Sequence, residues 1–181
     1  MSNIEHEVKV LNINVEEIRA KLIKLGAVKK GDYRLRRYVF DTIPSIPGRW
    51  VRLRSNGQEA TLAVKEISSS AIDGTSEWEV VVSDIDDTLT ILEKIGIKHR
   101  SYQENQREEF CFEGAQISID LWPKLQPYIE IEAKNIAEVV RIAKVLGYSR
   151  DVLVTENTTE LYKTIGINVK EVAELKFNEG R

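Results

Sequence analysis

A chain of 181 residues with 42% hydrophobic and 30% charged residues has the composition of an ordinary folded domain, long enough for one core and too apolar for disorder. Its formal net charge of −3 gives no global attraction to nucleic acid or anionic membrane, so any anion site must be built locally from clustered Lys and Arg. The single cysteine, Cys111, excludes an internal disulfide and a multi-cysteine zinc site, and no His or Asn partner pattern marks it as a nucleophile.

Residues 4–11 alternate charged and apolar side chains and open the chain as a strand. The same N-terminal stretch carries acids where a signal peptide needs a basic and then an apolar segment, and no apolar run approaches the ~20 residues of a membrane span. A cytoplasmic protein without membrane contact is expected. Asn14 to Gly26 reads as a helix, with Asn14 and Glu17 at capping-box spacing and a glycine stop.

Three strands follow at 37–42, 49–55 and 59–66, the last two joined by an Asn56-Gly57 turn. The Ser68 to Gly74 stretch reads as a longer, mobile loop before a strand at 76–82 and a helix from Ser83 to Gly96. Strands at 106–113 and 115–121 flank a Glu113-Gly114 turn, and another covers 127–133. Helices from Asn135 to Gly147 and Asn157 to Gly166 come next. Residues 169–177 form a fifth helical candidate, so that 166–181 is a helical appendage to a single domain spanning 1–181.

Residues i and i+2 of a strand share a face, so Glu5, Glu7 and Lys9 project together while His6, Val8 and Val10 project oppositely. Arg52 and Arg54, Glu77 and Glu79, and Glu130 and Glu132 repeat the arrangement, and Lys65, Arg107 and Asp120 add single charges with apolar residues behind them. A solvated sheet face would explain any one strand. Jointly the charges are nearly all of one sign within each strand, whereas an exposed face intersperses signs and includes Thr, Ser and Gln.

The helices cover the apolar face, which leaves the charged one to line the inside of an eight-stranded, antiparallel, closed barrel of the α+β class with its helices outside. Carboxylates and cations enclosed together need counter-ions, because desolvating unpaired charges costs several kcal/mol each. A polyphosphate carrying a divalent metal satisfies both sets: Arg and Lys take phosphate oxygens, and carboxylates hold Mg²⁺ or Mn²⁺. Oxygen-only ligands favour such hard cations over zinc, and neither His6 nor His99 has a companion at ligand spacing. Neither GxxxxGK[ST] nor GxGxxG occurs, which disfavours P-loop and Rossmann chemistry.

The ordered series Glu5-x-Glu7-x-Lys9, Arg52-x-Arg54, Lys65, Glu77-x-Glu79, Arg107, Asp120 and Glu130-x-Glu132 resembles the CYTH superfamily, the triphosphate tunnel metalloenzymes, over residues 4 to about 166. That family includes class IV adenylyl cyclases and thiamine triphosphatases. The resemblance implies a tunnel binding a linear triphosphate, free or attached to a nucleoside or thiamine, with one or two divalent metals. Lys9, Arg52, Arg54, Lys65 and Arg107 would hold phosphates, and Glu5, Glu7, Glu130 and Glu132 would lead the metal ligands. Asp120, Glu77 and Glu79 would hold metal directly or through water, or orient the basic residues.

A Tyr–Lys pair that positions the attacking water in some hydrolytic relatives would map to Tyr38 and Lys65. The sequence departs from the family where Asn105 stands two residues before Arg107 in place of the usual Lys; Lys124, Lys134 and Arg100 are the candidates to replace its charge. Trp122 either stacks on a base or thiazole ring or lies under a helix, and burial is favoured. Metal-dependent hydrolysis of a triphosphate is the leading expectation, ahead of cyclisation of ATP to cyclic AMP and pyrophosphate, and of a non-catalytic triphosphate receptor. Nucleic-acid binding is disfavoured because the basic residues point inward. Family members often dimerise, so a homodimer is open, although no stretch specifies an interface.

Overall fold

Alternation along the strands divides the sheet into a polar inner face and an apolar outer one, most of which the helices cover, while Trp78 and Val80 stay exposed. The computed structural model describes residues 4–178. The elements are β1 (Ile4–Glu5), β2 (Glu7–Leu11), α1 (Val15–Lys24), β3 (Val28–Asp41), β4 (Arg49–Ser55), β5 (Ala60–Ile67), β6 (Thr75–Val82), α2 (Ile85–Lys94), β7 (Ser101–Phe112), β8 (Ala115–Leu121), β9 (Tyr128–Glu132), α3 (Ile136–Val145), α4 (Thr158–Thr164) and β10 (Glu174–Leu175). The sheet runs β1-β6-β5-β4-β3-β7-β8-β9-β2.

Because β1 pairs with β6 and β2 pairs with β9, one N-terminal stretch joins both ends of the sheet and nearly closes it into a barrel. The break between β1 and β2 falls at His6, whose carbonyl still accepts from the Ala133 amide at 3.1 Å. The barrel therefore has eight walls when β1 and β2 count as one and β10, which pairs in parallel with the outer edge of β7, is set aside. Hairpin turns sit where the glycines predict. Glu113 and Gly114 have φ of 47° and 82°, the doubly left-handed geometry that matches strand twist.

Two strands are longer than their alternation predicts. β3 pairs with β7 from Val28↔Cys111 to Val39↔Ser101, with a shift between Lys29 and Gly31. The polar run Lys29–Arg34 lacks a clean period-two pattern, so pairing, rather than local sequence, makes it a strand.

Asn14, Asp84, Asn135 and Asn157 cap the four α-helices, each accepting from amides of the first turn. α1 and α3 cover the outer face of β2, β7, β8 and β9, burying Leu22, Ile117, Ile129, Ile131 and Ile142 completely. Each such side chain contributes about 1.5–3 kcal/mol. α2 covers Phe40 and Leu53 on β3 and β4.

The expected fifth helix over 169–177 is corrected. Val169–Glu171 makes one 3-10 turn and Glu174–Leu175 is the short strand β10. β7 offers a free backbone group and a hydroxyl there: Tyr102 N–H donates to the Ala173 carbonyl and the Ser101 side-chain Oγ to that of Val172, both at 2.8 Å. A nine-residue helix is marginal in water and loses to such pairing. Val169 and Leu175 are buried with Trp122, Tyr128, Leu161 and Tyr162, so the described part of 166–181 packs against the barrel, and residues 179–181 lie outside the described residues.

Candidate active site

The inner wall can be traced by ion pairs that skip a strand, because only a concave face lets next-but-one strands touch. Arg52 of β4 donates to Glu77 and Glu79 of β6 at 2.7 and 3.0 Å across β5. Arg107 of β7 reaches Glu130 of β9 at 3.1 Å across β8. Lys65 Nζ donates to both oxygens of Glu5 at 2.9 Å and lies 3.5 Å from Glu77, and Lys9 Nζ lies 2.8 Å from Glu7 and 3.4 Å from Glu130. Arg54 meets Glu79 at 3.5 Å. Asp120, wholly buried, receives Arg107 through both oxygens at 2.9 and 2.6 Å and the Asn105 amide at 2.8 Å.

The fold thus brings together every charged residue that the sequence placed on the inner face. The sequence missed Glu109, which shares the parity of Arg107 and lines the open end of the bore, and it missed an arginine. Arg37 of β3 also enters the bore, donating to Asn105 Oδ1 and lying 4.4 Å over the Trp122 ring. Its neighbour Arg36 points out to Asp86 of α2 at 3.2 Å, and two adjacent arginines gave no local sign of which one faces inward.

Tyr38 is a correction. It lies on the outer face between Arg37 and Val39, packing against His99 and Tyr102 with ring centroids 5.2 Å away in each case. Lys65 is on the inner face of β5, so Tyr38 and Lys65 cannot form a pair; strand parity separates them. The candidates to replace the missing Lys also lie elsewhere: Arg100 pairs with Asp41, and Lys124 and Lys134 are exposed. Trp122 is buried, edge-on to Tyr162 of α4 at 6.2 Å, as favoured. With Tyr128 and Leu161 it fills one end of the bore, whereas open space of ≈ 90 Å³ lies the other way along β7 and β8, lined by Tyr33, Arg54, Thr61, Glu79, Arg107 and Gln116. A larger cavity of ≈ 300 Å³ lies outside the barrel against the 68–74 loop and is lined by Val8, Ala71, Ile72, Ile136 and Leu153 among others, away from the charge network.

Electrostatically the bore has two poles. At the basic pole burial, together with the charges of Arg52, Arg54 and Arg107, pulls Arg37 down to about 9, and burial beside Arg52 and Arg107 pulls Arg54 to about 10. Among the described residues the buried Nε groups of Arg37 and Arg52 have no hydrogen-bond partner. At the acidic pole burial and nearby carboxylates push Glu5 up to about 8, against the attraction of Lys65, and burial with Glu130 and Glu7 pushes Glu132 up to about 7.

In donor chemistry the acidic pole fits a hard divalent cation. It offers only oxygen ligands, Glu7 and Glu132 lie directly opposite in register, and among the described residues the Glu132 carboxylate has neither a hydrogen bond nor an ion pair. No three acidic, His or Cys side chains of the described residues converge at metal-ligand distance, because the ammonium groups of Lys9 and Lys65 hold Glu7, Glu130, Glu5 and Glu77. Asp120, Glu77 and Glu79 are engaged by Arg107, Arg52, Arg54 and Lys65, the arrangement expected of carboxylates that orient basic residues.

The model of the CYTH domain matches residues 3–160. The chain belongs to the CYTH family. No curated protein sequence matches it significantly. Among solved structures this CYTH domain superposes on a protein of Pyrococcus horikoshii with a TM-score of 0.74 and 22% identity, covering 87% of this chain and 99% of the other. A candidate adenylate cyclase of Vibrio parahaemolyticus gives a TM-score of 0.76 and 14% identity over 90% and 99%. A candidate adenylyl cyclase of Hippeastrum, described as having a dominant triphosphatase activity, gives 0.61 and 14% over 93% and 100%. At these identities the likeness establishes the CYTH fold. Among the described residues no helix is long and apolar enough to cross a membrane.

Proposed function

We propose that this CYTH domain is a divalent-metal-dependent phosphohydrolase that cleaves a triphosphate held inside the barrel. One observation carries the reading: guanidinium groups crowd one wall of the bore, with the Nε atoms of Arg37 and Arg52 buried and unpartnered among the described residues, while carboxylates crowd the facing wall. Like charges held this close are costly unless a polyanion and a cation occupy the space. The two activities attributed to the Vibrio and Hippeastrum relatives both act on such a group.

In this reading Lys9, Arg52, Arg54, Lys65 and Arg107 bind phosphate oxygens and stabilise the charge that builds on them as water attacks the terminal phosphorus. Asp120 keeps Arg107 aimed by its two-oxygen contact, and Glu79 does the same for Arg52 and Arg54. Glu5, Glu7, Glu130 and Glu132 would hold Mg²⁺ or Mn²⁺, which when bound neutralises phosphate charge and polarises a phosphoryl oxygen. Substrate binding relaxes the competition, because phosphate oxygens accept from Lys9 and Lys65 and release the glutamates from them. Tyr38 has no part in positioning water.

The test is product analysis. Purified protein is mixed with tripolyphosphate, thiamine triphosphate and ATP, each with Mg²⁺ or Mn²⁺ and again with EDTA. Orthophosphate released only with metal is the expected result. Cyclic AMP with pyrophosphate would replace hydrolysis by cyclisation, and tight binding without turnover would make the protein a receptor.

A further inference from the structure

Six cationic side chains enter the bore: Lys9, Arg37, Arg52, Arg54, Lys65 and Arg107. All but Arg37 have a carboxylate within ion-pair distance; among the described residues Arg37 has none. Its polar partner is the Oδ1 of Asn105, its flat face lies on Trp122, and its buried Nε has no hydrogen bond among the described residues. A buried guanidinium beside Arg52, Arg54 and Arg107 is stable only if something anionic completes the site.

Asn105 explains how the guanidinium is held. Its Nδ2 donates to Asp120 at 2.8 Å, which turns the amide so that Oδ1 faces Arg37. An amide therefore serves an acidic neighbour and a basic one at once, since it has both a donor and an acceptor. Lysine at the same position could satisfy Asp120 but would offer Arg37 no acceptor and add a like charge. Asn105 and Arg37 are thus complementary, and the absence of a Lys two residues before Arg107 is matched by an arginine arriving from the adjacent strand.

We propose that Arg37 binds a phosphate group of the substrate, supplying from β3 the positive charge that Asn105 withholds from β7, and that Asn105 is the residue that positions it. The inference rests on the triphosphate reading of the bore and deepens it. Arg37 and Trp122 then define the inner end of the phosphate path, with the guanidinium pressed between an aromatic ring and a phosphate, a packing that suits its planar fork and would not suit an ammonium.

The experiment is calorimetric titration of the full chain with inorganic tripolyphosphate, in EDTA and again with Mg²⁺. Arg37→Gln is expected to weaken binding about ten- to a hundred-fold, the effect of removing a charge-assisted contact. The transposed pair Arg37→Gln with Asn105→Lys is expected to recover most of that loss. Asn105→Lys alone should bring no gain, because it deprives Arg37 of its acceptor. Arg54→Ala is the reference for a bore contact.

Arg37→Gln binding as tightly as the unaltered protein while Arg54→Ala fails would overturn the Arg37 inference and leave the triphosphate reading standing. No binding by the unaltered protein in either buffer would remove both. Thermal melts accompany each variant. If Arg37→Gln does not melt cooperatively, Asn105→Lys decides: a tenfold gain in affinity would mean that the missing lysine had never been replaced, and no gain supports the replacement.

Discussion

Asp120→Asn tests whether the buried network is as tightly paired as its geometry indicates. Asp120 has no exposed surface and accepts three hydrogen bonds, two from Arg107 at 2.9 and 2.6 Å and one from Asn105 at 2.8 Å. An asparagine keeps one acceptor oxygen and turns the other position into a donor, facing a group that is itself a donor. Arg107 keeps Glu130 at 3.1 Å, so its charge is not wholly abandoned. Removing one partner of a buried pair costs about 3–5 kcal/mol, and the surviving contacts put this variant near the lower end. At about 2–4 °C per kcal/mol for a chain of this size, 3 kcal/mol lowers the melting temperature by roughly 6–12 °C. Differential scanning calorimetry at low salt reads the effect directly. Tripolyphosphate at a hundred times its dissociation constant should return about 2.7 kcal/mol, because ligand binding to the native state alone stabilises it. A variant melting within 2 °C of the unaltered protein would refute the reasoning, since it would mean that Arg107 and Asn105 lose nothing when the charge between them is neutralised.

Further outcomes follow from the same geometry. Glu132→Gln should leave the melting temperature near that of the unaltered protein, since the Glu132 carboxylate has no partner among the described residues to lose, yet abolish metal-dependent turnover in a phosphate-release assay; full activity would exclude it from metal binding. Tyr38→Phe should leave kcat and KM within about twofold, because its ring lies on the outer face, and a large fall in kcat would return it to the site. Glu108, on the outer face of β7, is held below the usual carboxylate range by hydrogen bonds from Arg19 and Lys29, against partial burial. Its lowered pKa means that this contribution is present above the unfolded value and fades as pH falls through the folded one. Glu108→Gln should therefore cost at most ~1 kcal/mol at pH 7 and progressively less as the pH falls below the ordinary carboxylate range, a trend that urea titrations at a series of pH values would detect.

Much of this architecture is legible in single stretches. The helix caps Asn14, Asn135 and Asn157 each stand before an apolar 3.6-residue pattern, and each accepts first-turn amides. The charged face of β2, β4, β6 and β9 could be assembled from parity alone, because each of those strands alternates cleanly and its apolar side demands cover. β3 resisted the same treatment. Its residues 29–38 mix Lys, Gly, Asp, Tyr and Arg on both faces, so the inner set could not be told from the outer.

Composition and periodicity determined the four capped helices and the cleanly alternating strands, the sorting of charge to one side of the sheet and the oxygen-rich, arginine-rich character of the site. Tertiary structure alone decided that Arg37 lies inside and Tyr38 outside, that Asn105 joins Asp120 to Arg37, and that residues 174–175 form a strand along β7. The physical reason is common to all three. A strand's phase and a chain end's conformation are set by the register of hydrogen bonds with a distant partner, and a one-residue change in that register exchanges the two faces.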